Sequence, residues 1–371
     1  MEFQGDRVRG KVQHFSDATR GSMSSVDMSE LLLKMARDLG ADLAGIATIE
    51  TLACGPPSAD LTYVLPTAKS AICFALALDQ DEIERYLKKE NHEAHNLDKI
   101  RKTTLANGIA LEMSNFLNQL GFKSVPICSN FQYRNSEEVK YSDRKPLISH
   151  RYLAVRSGIG WFGYSGHIIT REYGSAIIFG SVVTEAELVP TEPLPADENY
   201  CNECRLCRAV CPSGFISPDE ITTVQLGNRE FSYAKRRSYA RCAYLCGGVA
   251  GLDRSGKWSN WSASRYPIPE EDEDFPREIE QAMPAYLKRT LNDHVFYISF
   301  RPGYTLDYSC SHCQLVCHPD PDVRKKRYKM VMKGGVVVQN EDGSYVAVPP
   351  EEARKRLDAM EPEKRRLYEK S

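Results

Sequence analysis

The chain has 371 residues, 42% apolar and 26% charged, enough apolar material for a sizeable core and for more than one domain. A formal net charge of −2 gives no global attraction to nucleic acid, and no run of eighteen apolar residues exists, so no transmembrane helix is expected. Twelve cysteines with no apolar secretory leader before them count against a disulfide scaffold and towards metal or redox chemistry in the cytoplasm.

In chain order, residues 1–27 read as a flexible leader. "MSELLLKMARDLG" from Met28 has helical spacing, a cap at Ser29 and a stop at Gly40. "ADLAGIATI" and "KSAICFALAL" follow as strands, the second buried on both faces. A long amphipathic helix ending at Gly121 and the strand "KSVPICSN" come next, then the turn-rich "SGIGWFGYSGHIIT" and a core strand, "GSAIIFGSVVT". Helices alternating with apolar strands predict a layered α/β domain over residues 28–195, closed by the linker "PTEPLPADENY". Residues 196–325 hold nine cysteines and an acidic, proline-punctuated insertion near 265–285, read as a solvated excursion. Residues 326–371 read as a hairpin turning at Asp342-Gly343 and a charged helical tail.

The densest chemistry is "CNECRLCRAVCP", residues 201–212. Disulfides between thiols so close would shut only small strained loops, and zinc pairs are usually completed by a second pair or by histidines farther on. C-x2-C-x2-C-x3-C-P is instead the ferredoxin run, in which three cysteines hold one 4Fe–4S cluster and the fourth reaches another. A second cluster is therefore expected, and "YSCSHCQLVCHP" supplies Cys310, Cys313 and Cys317, one thiol short. "YARCAYLC" offers Cys242 or Cys246 for the missing place. Crossing over assigns Cys201, Cys204, Cys207 and Cys317 to the first cluster, and Cys211, Cys242, Cys310 and Cys313 to the second. Two adjoining clusters form an electron relay and need an acceptor. No glycine-rich dinucleotide fingerprint or phosphate loop is present to supply a nucleotide.

Three segments together resemble epoxyqueuosine reductases: "YSDRKPLISHRYLAVRSGIGWFGYSGHIITREYGSAIIFGSVVTEAEL", "ARCAYL", and "YSCSHCQLVC" with its spacing to the first run. "LLKMARDLGADLAGIATIETL" fits the opening unit of the same family, and reductive dehalogenases share the architecture more distantly. The resemblance, over roughly residues 28–325, implies an α+β protein. A nitroreductase-like α/β domain would hold base-off cobalamin, and a ferredoxin-like domain with two 4Fe–4S clusters would reduce the cobalt. It implies that Asp143 is the proton donor and that Ile168, Thr170 and Phe179 contact the corrinoid. Gly158, Gly160 and Gly163 would either allow close approach to the macrocycle or shape a turn. The implied partners are a low-potential electron donor such as ferredoxin or flavodoxin, and a substrate that is either tRNA or a small molecule undergoing reductive dehalogenation or elimination.

The chain departs from the family at Tyr164, where a basic residue is usual, and at Ser149 and His150, which replace an acidic–basic pair. The tail does not resemble the helical extension that helps the family hold tRNA, and two basic runs, "AKRRSYAR" and "RKKRYK", remain as phosphate contacts or as a docking face for an acidic donor. Tyr133, Tyr141 and Trp161 are the aromatics available for a substrate pocket, although each alone reads as core. The competing function is an iron–sulfur electron carrier that reduces a partner such as a corrinoid protein and has no substrate of its own.

Overall fold

The computed structural model describes residues 23–129, 133–134, 145–289, 296–298, 305–307 and 309–370. The first helix, α1 (Ser25–Asp38), starts inside the stretch expected to be leader. Its cap is Ser24, whose hydroxyl accepts the Asp27 N–H; Ser29, expected to be the cap, lies inside the helix and donates to the Ser25 carbonyl. Met28, Leu32 and Ala36, one turn apart, give α1 its buried stripe.

Strands β1 (Leu43–Thr48), β2 (Ser70–Ala77), β3 (Ser124–Ile127) and β6 (Ile177–Thr184) form one sheet in the order β1-β2-β6-β3, antiparallel throughout. Both faces are covered, which is why β2 reads as a continuous apolar run. Ile72, Phe74 and Leu76 face the core under α1 and the helix pair α2 (Gln80–Leu87) and α3 (Glu93–Gln119). Ala71, Cys73 and Ala75 face α4 (His150–Arg156). Gly180 lies opposite Phe74, and a Cβ there would overlap the Phe74 ring and crowd the Ala106 carbonyl, so this glycine sets how closely α3 lies on the sheet.

After α4, the short pair β4 (Trp161–Phe162) and β5 (Ile168–Ile169) leads into β6. The cysteine-rich part begins with α5 (Leu206–Ala209) and the hairpin β7 (Ile216–Leu226) and β8 (Arg229–Arg236). Tyr233 on β8 packs its ring 4.6 Å from that of Phe162, centroid to centroid, and so fastens the hairpin to the face of the sheet that carries α4. Next come α6 (Tyr239–Cys246) and α7 (Asp274–Tyr286).

The acidic stretch around α7 is not a solvated excursion. Asp272 pairs with the buried Arg241 of α6, the Glu270 carbonyl accepts from the same guanidinium, and Phe275 stands edge-on to Tyr244. A buried guanidinium needs those acceptors, and the insertion provides them. Beyond β9 (Phe296–Ile298) and β10 (Thr305–Asp307) lie α8 (His312–Leu315), α9 (Pro321–Lys333), the hairpin β11 (Val336–Gln339) and β12 (Tyr345–Val348), and the tail helices α10 (Pro350–Asp358) and α11 (Pro362–Arg365). The hairpin turns through Asp342 and Gly343, and the Val337 N–H donates to Ser259 Oγ, which ties the tail to the cysteine-rich part.

Candidate functional site: two adjoining thiol groups

The run from Cys201 to Cys211 folds as a tight loop followed by the single turn α5, with Glu203 and Arg205 both in the left-handed region (φ 52° and 58°). Burial, then Cys201 and Cys204, pushes the Cys207 thiol up to about 12. Burial, then Cys207 and Cys201, does the same to Cys317. Thiolates that repel one another in this way share one small volume, so Cys201, Cys204, Cys207 and Cys317 form a group. The protein aims donors at it. The Tyr164 N–H lies 3.2 Å from Cys201 Sγ, and Arg324 Nη1 on α9 reaches Cys204 Sγ at 3.7 Å and Asn202 Oδ1 at 2.7 Å. The Ser175 N–H donates to the Cys317 carbonyl at 3.3 Å, and its hydroxyl donates to the Gln314 carbonyl at 2.7 Å. Gly174, at φ +59°, admits Cys317, because a Cβ there would overlap the Cys317 carbonyl oxygen.

The second group gathers Cys211, Cys242, Cys310 and Cys313. Burial raises Cys211 to about 11, with Cys242 and Cys310 adding to it and Ser213, 3.6 Å away, opposing. Burial raises Cys313 well above the usual thiol range, followed by Cys211, Cys242 and Cys310. Cys207 also acts on Cys313, so the two groups adjoin. Cys246 lies one turn from Cys242 on α6, its sulfur 3.7 Å from Cys242 Sγ and donating to the Cys310 carbonyl at 3.1 Å. Cys242 and Cys310 act on Cys246, and Cys242 acts on Cys211 and Cys313. Cys54, Cys73 and Cys128 belong to neither group, and burial drives Cys73 far above the ordinary thiol range.

Behind the second group is a set of buried cations and imidazoles that the sequence did not reveal. Lys89, buried and with φ +65°, places Nζ 3.2 Å from His312 Nε2. Burial lowers its pKa to about 7, and only the Cys310 thiolate pulls the other way. Lys99 of α3 has a partly exposed stem and an enclosed ammonium, which donates to Ser311 Oγ at 3.1 Å and is acted on by Cys246, Cys310 and Cys242. His95 has no exposed surface and no hydrogen-bond partner on either ring nitrogen; burial, then Lys99, holds it neutral, down to about 2. A buried ammonium needs an anion, and cysteines are what raise these two: Cys310 at Lys89, and Cys246, Cys310 and Cys242 at Lys99.

Among the described residues no three or more His, Cys, Asp or Glu converge where one bare ion would sit. Eight thiols in two adjoining groups, with buried cations beside each, suit a larger anionic sulfur-bridged core.

Asp143 and Tyr141 lie outside the described residues. Tyr133 is exposed, bridging to Pro146, and the Trp161 indole donates to the Pro195 carbonyl at 3.0 Å. Ile168 and Thr170 are buried, with the Thr170 hydroxyl donating to the Gly174 carbonyl at 3.0 Å. Gly158 and Gly160 lie against the chain itself, where a Cβ would strike the carbonyls of Glu192 and Ile169. A Cβ added at Gly163 would meet only ordinary contacts, 3.5 Å from the His167 carbonyl oxygen and 3.9 Å from Cys201 Sγ, and Phe179 is half-buried over the His150 ring, 6.3 Å between centroids. The His150 ring is itself held by Ser181 Oγ at 3.0 Å and the Cys128 carbonyl at 3.4 Å. Of the six residues expected at a corrinoid, Gly158 and Phe179 are half-buried, and Gly160, Gly163, Ile168 and Thr170 are buried. Elsewhere, α9 and the end of α2 frame a groove of about 560 Å³ lined by Lys88, Lys325, Lys326, Lys329 and Lys333, with Asp322 at its edge.

Fold and site together define a mixed α/β protein with two adjoining thiol-rich centres against the edge of an antiparallel sheet. No family model matches the chain. Among curated proteins it is 29% identical over 164 residues to the epoxyqueuosine reductase of Gloeobacter violaceus, covering 43% of this chain and 45% of the relative. It is 37% identical over 79 residues to that of Bacillus anthracis, covering 21% of this chain and 20% of the relative. The chain thus matches less than half the length of these relatives, and the resemblance read in its motifs agrees with them. Solved structures that superpose include an epoxyqueuosine reductase with an epoxyqueuosine-modified tRNA-Tyr stem loop (TM-score 0.40, 17% identity, 81% of this chain and 69% of the other). The catabolic reductive dehalogenase NpRdhA is another (TM-score 0.47, 13% identity, 93% and 38%). At those scores the superpositions decide neither fold nor function. No helix among the described residues is long and apolar enough to cross a membrane.

Proposed function

We propose that this chain is a cobalamin-dependent reductase, similar to epoxyqueuosine reductases, in which two 4Fe–4S clusters pass electrons to a base-off corrinoid. The observation that carries the reading is the meeting of thiols from three separated stretches in two adjoining groups. In this reading Cys201, Cys204, Cys207 and Cys317 hold the first cluster, and Cys211, Cys242, Cys310 and Cys313 the second. Residues 28–195 form the corrinoid and substrate domain, and 196–325 the cluster domain. A bound corrinoid supplies a strongly reducing cobalt centre able to break a carbon–oxygen or carbon–halogen bond.

The chain's own residues give the relay its layout. Tyr164 donates its N–H to Cys201 Sγ, and Gly174 and Ser175 lie against the Cys317 carbonyl; these residues come from the stretch taken to face the corrinoid, which supports reading the first group as the acceptor-side one. The Tyr164 N–H on Cys201 Sγ and the Arg324 guanidinium on Cys204 Sγ favour added negative charge at those sulfurs. Asp143 is the proposed proton donor to the substrate, and Phe179 and Gly163 are proposed corrinoid contacts. The substrate is a modified-nucleoside epoxide in tRNA or a small molecule losing a halide or similar group. A tRNA would meet its phosphates on the lysine-lined groove beside α9, and its binding would weaken steeply with salt.

The test is anaerobic reconstitution with iron, sulfide and cobalamin, followed by separation from free corrinoid. One corrinoid per chain with the spectrum of base-off cob(II)alamin is expected, and turnover is then assayed on epoxyqueuosine-containing tRNA and on a halogenated aromatic panel. A protein that keeps its clusters but retains no corrinoid would be an electron carrier instead.

A further inference from the structure

The two residues lying between Cys310 and Cys313 are each held by a lysine from the sheet domain. His312 Nε2 lies 3.2 Å from Lys89 Nζ, and Ser311 Oγ accepts from Lys99 Nζ at 3.1 Å. The lysines are 223 and 212 residues away in sequence, so this contact is tertiary. Lys89 is buried against the rings of Tyr86 and Trp261, at 5.9 and 5.7 Å, where an ammonium is largely shielded from solvent. Its φ of +65° is an uncommon conformation for a non-glycine residue, held here by the Tyr86 carbonyl, which accepts the Lys89 N–H at 3.1 Å. The first thiol group has cations of a different kind: the buried Arg324 guanidinium reaches Cys204 Sγ at 3.7 Å, and the buried Arg327 feels Cys317, so arginines stand at the first group where lysines stand at the second.

We propose that Lys89 and Lys99 form a cationic clamp on the Cys310–Cys313 run, raising the reduction potential of the second cluster relative to the same cluster without them. The proposal rests on the cluster reading above. A 4Fe–4S core with four thiolates is anionic when oxidised and gains one further negative charge when reduced. A fixed positive charge nearby therefore stabilises the reduced form more than the oxidised one, and more so in a dry site than in water. The clamp also makes a positional link, since the α2–α3 end of the sheet domain grips the run directly.

The experiment is a dye-mediated redox titration of the reconstituted protein without corrinoid, followed by electron paramagnetic resonance, on wild type and on Lys89→Met, Lys99→Met, Lys89→Arg and Lys99→Arg. Each methionine variant is expected to keep the iron and sulfide content of wild type and to shift one cluster's midpoint to a more negative potential. The other midpoint should stay in place, and the arginine variants should recover most of the shift. Unchanged midpoints in methionine variants that hold both clusters would overturn the clamp, as would equal shifts in both clusters. If Lys89→Met fails to fold, the Lys99 pair decides the matter alone, because its stem is partly exposed. Wild-type protein that binds no iron would instead remove the cluster reading, an outcome separate from the failure of the clamp.

Discussion

Cys242 and Cys246 sit one helical turn apart on α6, so the sequence left both open as the fourth thiol of the second group. Their neighbours favour Cys242 as the proposed ligand. Cys242 acts on Cys211 and Cys313, while Cys246 hydrogen-bonds Cys242 and the Cys310 carbonyl. Cys242→Ala should therefore lower bound iron by about half, from about eight atoms towards four, with Cys246→Ala close to wild type in an elemental assay. The reverse result would exchange their roles. Asp143→Asn should retain both clusters and corrinoid while turnover drops by about 10²–10⁴-fold, the usual worth of a positioned acid; unchanged turnover would remove Asp143 from the mechanism. His150 gives a pH dependence that is independent of any cofactor. Burial lowers its pKa to about 4, so between about 6.5 and 4 the unfolded chain takes up a proton that the folded chain resists. Stability should be full above about pH 6.5 and fall, by on the order of 1–3 kcal/mol, as pH drops towards 4. Urea titrations of wild type and His150→Gln at pH 7 and pH 5 check this, and a loss of equal size in both would assign the effect elsewhere.

At the scale of elements, Gly174 joins the loop before β6 to the second cysteine run, since both its φ of +59° and its contact with the Cys317 carbonyl forbid a side chain. Gly174→Val should displace Cys317 and cost the first group its cluster, while the second survives; equal loss of both, or of neither, would contradict that placement. The cysteine runs were legible because ligand spacing is local, and the strands of the central sheet because β2 and β6 are short unbroken apolar runs. Ser24 in place of Ser29 is a boundary effect, the helix simply running one turn farther back than its apolar periodicity. The acidic stretch near α7 was misread because composition reports charge and not partners. Asp272 and Glu270 face a buried arginine that the sequence places some thirty residues earlier. Lys89, Lys99 and His95 carried no signal at all: on α3 and its approach they look like an ordinary polar face until the fold brings the cysteines to them.

The molecule as a whole is an antiparallel sheet domain and a thiol-rich part fastened together by many contacts. Two stand out: an aromatic one, Phe162 on Tyr233, and a charged one, Lys89 and Lys99 on the Cys310–Cys313 run. Between those places lie Gly163, Tyr164, Gly174 and Ser175, which bring the first thiol group to the stretch taken to face the acceptor. Everything asked of the molecule as a reductase depends on those thiols holding two inorganic cores close enough to exchange electrons. The most direct measurement is iron, acid-labile sulfide and zinc content of anaerobically purified protein, together with electron paramagnetic resonance after reduction. The account predicts about eight irons and eight sulfides per chain, negligible zinc, and a low-temperature signal split by coupling between two neighbouring reduced clusters. Stoichiometric zinc with no labile sulfide, or a single uncoupled cluster, would contradict it.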